Sequence, residues 1–175
     1  NVNLLRTTTE SMSAVIGGAD FVSNLAYDEF YHKSNEFSSR IAKNQLLILK
    51  NESYLDQVNP ADGTYYLEEL TQQFSEKALE IFKGIEKGGG FLKQLKEGII
   101  QKKIAESAAK EQQQVESGEM TLVGTNKYIH PQDLMKGETE IYPFLKHNPR
   151  KTLIRPIIPK RLSEKTEKQR MAKEQ

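Results

Sequence analysis

Two adjacent glycines, Gly17-Gly18, placed directly after a helix-patterned run, constrain this chain more than any other feature. Leu4, Leu5, Met12, Val15 and Ile16 fall at helical spacings, with Thr8 on the same face. The glycines stop that helix, and Phe21-Val22 reads as a short strand emerging from the stop. A helix that enters a double glycine and leaves as a strand of a few residues is half of a helix–strand repeat. Such repeats build an α/β barrel, where the C-terminal end of each strand delivers side chains to the active-site mouth. Asp20, Ser23 and Asn24 are therefore the first candidate site residues.

Further along, Ser34 or Asn35 can cap a helix whose apolar set Phe37, Ile41, Leu46, Leu47, Ile48 and Leu49 thickens toward its end. That thickening predicts a far end buried on more than one side. Residues 51–64 read as a turn region carrying Asp56, Asn59-Pro60 and Asp62-Gly63. Leu67, Leu70, Phe74, Ala78, Ile81 and Ile85 then trace a helical stripe that ends at Gly88-Gly89-Gly90, and the Tyr65-Tyr66 pair opening it is expected in the core. A third helical region runs from Phe91 through Ile104 to Ala108, broken near Gly98 and closed by Gly118, with Thr121-Leu122-Val123 as a second short strand. Residues 129–159 hold five of the six prolines and read as an extended strap with apolar anchors at Ile141, Phe144, Leu153, Ile154, Ile157 and Ile158. Pro159 and Ser163 signal a last, polar and basic helix within 160–175.

These blocks carry a family resemblance. Leu4-Leu5-Arg6-Thr7, Gly17-Gly18, Tyr27-Asp28-Glu29, and Phe37-Ser38 with Arg40-Ile41-Ala42 and Asn44 resemble the barrel domain of cobalamin-dependent methylmalonyl-CoA mutases. The likeness continues through Asn59-Pro60, Gly63, Tyr65-Tyr66, Glu68 and Leu70-Thr71, where the family commonly reads Asp-Pro-x-Gly-Gly-Ser-Tyr-Tyr-x-Glu-x-Leu-Thr. It includes Gly88-Gly89, then Glu116-Ser117-Gly118, Val123-Gly124 and Asn126-Lys127-Tyr128. It implies a partial TIM-type (β/α)8 barrel, with the later barrel units in 1–128, the strap in 129–159 and a truncated helix in 160–175. A complete barrel needs roughly 250 residues. The opening at Asn1, where a helix is about to start, is what an excised piece would show.

The resemblance also implies a chemistry, from which the sequence departs. Catalytic relatives typically carry Gln-Ser-Leu-His-Thr-Asn after the glycines, where this chain has Asp20-Phe21-Val22-Ser23-Asn24-Leu25. An amide can donate to a thioester carbonyl; an ionised carboxylate can only accept, so Asp20 opposes negative charge developing on that oxygen. The next helix ends Lys50-Asn51-Glu52-Ser53 where relatives often have Gln-Glu-Glu-Ser, so Asn51 marks a lost carboxylate. The cobalamin motif Asp-x-His-x-x-Gly is absent. Asp20, Ser23, Asn24 and Asn51 thus stand as degenerate family-site positions, with no catalytic, cofactor or metal residue in this chain.

These departures lead to the expectation of a small, non-catalytic subunit portion of a heterodimeric enzyme. The resemblance implies that the whole interconverts (R)-methylmalonyl-CoA and succinyl-CoA, in propionate metabolism, by homolysis of the cobalt–carbon bond of adenosylcobalamin and radical rearrangement. Adenosylcobalamin and acyl-CoA are then expected in the large catalytic partner subunit. The alternative is a fragment of a catalytic acyl-CoA mutase with a different acyl substrate, in which Asp20 and Ser23 read that group.

Composition narrows the remaining classes. With no cysteine, neither a disulfide framework nor a thiolate metal site can form. His32, His130 and His147 lie far apart and are read as surface residues without companions at ligand spacing. No apolar run approaches the ~20 residues of a membrane span and no leader opens the chain, so a soluble, cytoplasmic protein is expected. Residues 146–175 hold ten Lys/Arg against three Glu, a net +7 in a chain of net +1. Without interleaved aromatics, that tail reads as a solvated helix face or a contact with an acidic surface, not as a nucleic-acid arm. The glycine clusters lack the spacing of a phosphate-binding loop.

Overall fold

The computed structural model describes residues 2–55, 57, 61–132, 134–145 and 152–174. They contain six helices: α1 (Val2–Ile16), α2 (Glu36–Asn51), α3 (Tyr65–Lys87), α4 (Phe91–Lys96), α5 (Ile99–Ser117) and α6 (Glu164–Lys173). The helix boundaries obey local chemistry. Asn35 caps α2 through its side-chain oxygen, which accepts from the backbone N–H of Ser38 at 2.8 Å. Gly98 separates α4 from α5 with φ +78°, a conformation that a side chain disfavours. Gly118, at φ +81°, closes α5 in the same way.

Among the described residues there is no β-strand, so the expected strands at Phe21-Val22 and Thr121–Val123 are corrected. Residues 19–26 take no regular secondary structure, with a bend at Asp20 and Phe21 96% exposed, and Val123 makes only an isolated bridge to Lys127. A strand exists through its ladder, and a short run with no neighbouring edge satisfies its backbone elsewhere. The helix-rich architecture is consistent with a partial α/β unit, and no barrel is closed by the described residues.

The chain divides into two compact units, Asn1–Glu68 with Lys136–Pro143, and Glu69–Met135 with Phe144–Gln175. In the first, α1 packs on α2, whose buried residues Ser38, Ala42, Gln45 and Leu49 form one stripe. Leu47 and Ile48 are 42% and 45% exposed, so the far end of α2 is buried on one side only, against expectation. In the second, α4 packs on α5, with Ile100 and Val115 buried. Phe144, alone of the expected strap anchors, is also buried, while Leu153 lies open to solvent. No residue of α3 is buried, and the Tyr65-Tyr66 pair is exposed, not in the core. An apolar stripe specifies a face that can be covered; it does not supply the cover. The expected turn residues Asp56 and Asn59-Pro60 lie outside the described residues.

Gln45 joins the first unit. Its amide nitrogen donates to the Leu4 carbonyl at 2.8 Å and to the Thr8 hydroxyl at 2.6 Å, and its oxygen accepts from the Asn24 amide at 2.5 Å. One buried side chain thus ties α2 to α1 and to the run after Gly17-Gly18. Replacing it, Gln45→Leu, strands those partners and is expected to destabilise the unit by roughly 2 kcal/mol in urea unfolding, since each buried polar group left unpaired costs about 1–3 kcal/mol. A change below about 0.5 kcal/mol, within the range of ordinary surface substitutions, would show that the amide is not a joint.

Candidate functional site

The turn that ends α1 and the last turns of α2 enclose an open cleft of about 500 Å3. Val15, Gly18, Ala19, Asp20 and Val22 form one wall, Leu46, Leu49 and Lys50 the other, and Leu55 with Gln57 complete the lining. The double glycine makes this geometry. Gly18 takes φ +75°, and the Ala19 N–H returns to the Ala14 carbonyl at 3.1 Å, folding the chain back so that Asp20 and Val22 face the end of α2. Six of the ten lining residues are aliphatic, beside one carboxylate, one ammonium and one amide, and the surface they present is about evenly polar and apolar. Among the described residues the lining includes no histidine and no hydroxyl, and it can hold and orient a partly apolar ligand.

The four candidate positions separate. Asp20 lines the cleft and is exposed. Asn24 is turned away from it, its amide donating to Gln45 and, at 3.4 Å, to the Ala42 carbonyl; it holds the run in place. Ser23 and Asn51 are exposed and do not line the cleft. Only Asp20 is thus brought to the place where a site would be.

The sequence pattern did not reveal a second polar cluster, just before the start of α2. Asp28 is buried, at 7% exposure, and its carboxylate accepts from the Asn35 amide at 3.2 Å and lies 3.2 Å from Nδ1 of His32. His32 therefore has a carboxylate companion after all, and the i, i+4 spacing of Asp28 and His32 was the available signal. Among the described residues no group of three or more acidic or histidine side chains converges to hold a metal. Burial alone would raise the Asp28 carboxyl, but hydrogen bonds from Ser38, Asn35 and His32 together hold it below its usual 3.8. Its contribution to stability is therefore present above pH 3.8 and is lost as the pH falls through the lowered value. Asp28→Asn is expected to lower stability by roughly 1–2 kcal/mol at neutral pH, as for a lost charge-assisted hydrogen bond. The gap from the parent chain should close as acid unfolding is approached, and a gap that stays constant with pH would contradict an ionised Asp28.

With this geometry in place, comparison with known proteins gives the class. The chain belongs to the methylmalonyl-CoA mutase family, a family of isomerases, whose model matches residues 1–170. Over 129 residues it is 43% identical to the methylmalonyl-CoA mutase small subunit of Porphyromonas gingivalis, covering 73% of this chain and 21% of that protein. It is 38% identical to the methylmalonyl-CoA mutase of Escherichia coli over 127 residues, or 72% of this chain and 18% of that one. To the 2-hydroxyisobutanoyl-CoA mutase large subunit of Aquincola tertiaricarbonis it is 33% identical over 144 residues, 82% of this chain and 25% of that one. The chain thus spans about a fifth to a quarter of the length of these relatives.

Proposed function

We propose that this chain is part of the small, non-catalytic subunit of a heterodimeric, cytoplasmic methylmalonyl-CoA mutase. Its work is to complete and support a barrel shared with the rest of its own subunit, while the large subunit holds adenosylcobalamin and acyl-CoA. The observation that carries this reading is Asp20 on the cleft wall. A carboxylate there accepts hydrogen bonds and repels negative charge, the reverse of what a thioester oxygen needs as it becomes electron-rich. One further point supports it: the small subunit of the Porphyromonas gingivalis enzyme is among the relatives, at 43% identity. No catalytic step is therefore assigned to residues of this chain.

The exposed apolar side chains of α3, with Phe74 at 73% and Ile81 at 61%, fit the same reading, because a barrel helix needs a sheet to lie on. The test mixes the full-length parent protein with the candidate large subunit and follows size exclusion with light scattering and cobalamin absorbance. The expected result is a one-to-one complex carrying a single cobalamin, whose turnover is unchanged by Asp20→Gln. A parent protein that binds cobalamin alone, or whose substrate preference shifts with Asp20→Gln, would overturn the proposal and make this a catalytic acyl-CoA mutase with Asp20 as a specificity residue.

A further inference from the structure

We propose that His32 is a proton-operated clasp: with both ring nitrogens protonated it tightens the tie between the turn 27–33 and the segment 136–143, and on losing one proton it loosens that tie. The ring lies between two groups that can only accept. Nδ1 is 3.2 Å from a carboxylate oxygen of Asp28, and Nε2 is 2.6 Å from the backbone carbonyl of Glu138. A neutral imidazole has one N–H, so either tautomer leaves a lone pair facing an acceptor. Only the imidazolium satisfies both sides.

The placement suits a switch. The two ends of the clasp are 106 residues apart in sequence, so the contact is tertiary and does not follow from local structure. The Asp28 side chain is 9% exposed and that of His32 37%, giving a fixed anchor on one side and access for protons on the other. Other ties hold the same segment without needing the ring. The N–H groups of Glu140 and Ile141 donate to the Tyr31 carbonyl at 2.8 and 3.0 Å, and the Lys33 N–H donates to the Glu140 carboxylate at 2.9 Å. The histidine therefore adjusts a contact that already exists, and its loss loosens the segment without unfolding the unit.

The charged groups that face the ring are Asp28 from its own turn and Glu140 from the segment, while α2 and the residue that caps it bring the neutral Ser38 and Asn35 to Asp28. The Glu138 carbonyl first, then Asp28 and Glu140, hold the imidazole above its ordinary 6.5 against the opposing effect of burial. The clasp is therefore fully closed below pH 6.5 and opens as the pH climbs through the raised value.

The test is nitrogen NMR of the His32 ring together with amide hydrogen exchange of Glu140 and Ile141 in the full chain, from about pH 5.5 to about pH 8.5, corrected for intrinsic exchange. The expected result is a doubly protonated ring at the acid end and a roughly tenfold loss of protection at Glu140 and Ile141 at the alkaline end, the equivalent of one net hydrogen bond. In His32→Gln the protection should no longer change with pH. Flat protection in the parent chain across the titration would overturn the proposal, and so would a pH dependence that survives in His32→Gln. The parent titration decides the matter even if the variant folds poorly.

Discussion

The first unit depends on one buried amide. Helices in an α/β protein are ordinarily aligned by the sheet beneath them, and no sheet is present among the described residues. Gln45 supplies a substitute, because an amide offers donors and an acceptor from a single planar group. Its donors engage Leu4 and Thr8 on α1, and its acceptor engages Asn24. The consequence reaches the cleft directly. Asp20 and Val22 lie a few residues before Asn24 in an irregular run, so the wall they form is positioned between the Gly18 turn at one end and the Asn24–Gln45 bond at the other.

The second unit uses the same device. Gln94 donates at 2.8 Å to the Ile85 carbonyl near the end of α3, and Gln101 donates to the carbonyls of Leu95 and Arg155 at 2.9 and 3.0 Å. Asn126 closes the loop after α5, donating to the carbonyls of Val115 and Met120 while accepting from the Leu122 N–H. These are helix-end and loop carbonyls; those of Ile85, Leu95 and Val115 also accept a backbone N–H, so the amides add a second bond there and fix which segment lies beside each helix end. Gln101 gives up something for this arrangement, since its own side-chain oxygen is buried without a partner. Buried apolar residues are few among the described residues, namely Ala42, Leu49, Ile100, Val115 and Phe144. Specific polar joints therefore carry more of the positioning here than close packing does.

How legible each feature was in the sequence depends on how local its signal is. The stops at Gly17-Gly18, Gly88-Gly89-Gly90, Gly98 and Gly118 act within one turn of chain and appear where the sequence places them, and of the two caps it offered, Ser34 and Asn35, the second is used. The strands did not, because a strand is a relation between segments. Tyr65 and Tyr66 show the same limit, since an aromatic pair opening an amphipathic helix has one pattern whether or not something covers it. The glutamine joints were readable in principle. Ser38, Ala42, Gln45 and Leu49 share one helix face, and a Gln on the stripe that a helix buries must find partners there. At the candidate site, Asp20 was legible as a strand-end residue, but Asn24 carried the same signal and is a structural tie. Only the fold separates a side chain that enters a cleft from one that turns back into its own scaffold.

That separation bears on what the cleft can do. The joint at Gln45 and Asn24 sets where the wall stands, whereas Asp20 sets what the wall offers, and the two share no hydrogen bond. Exchanging a carboxylate for an amide at an exposed position leaves the wall in place and reverses its preference from accepting to donating. The scaffold is therefore indifferent to the group that chemistry would be most sensitive to. Lys50 on the facing wall belongs to the same balance. An anionic ligand entering the cleft meets an ammonium on α2 and a carboxylate on the turn, so attraction on one side is opposed on the other. A wall of this kind does not concentrate the single sign of field that stabilises a developing oxyanion.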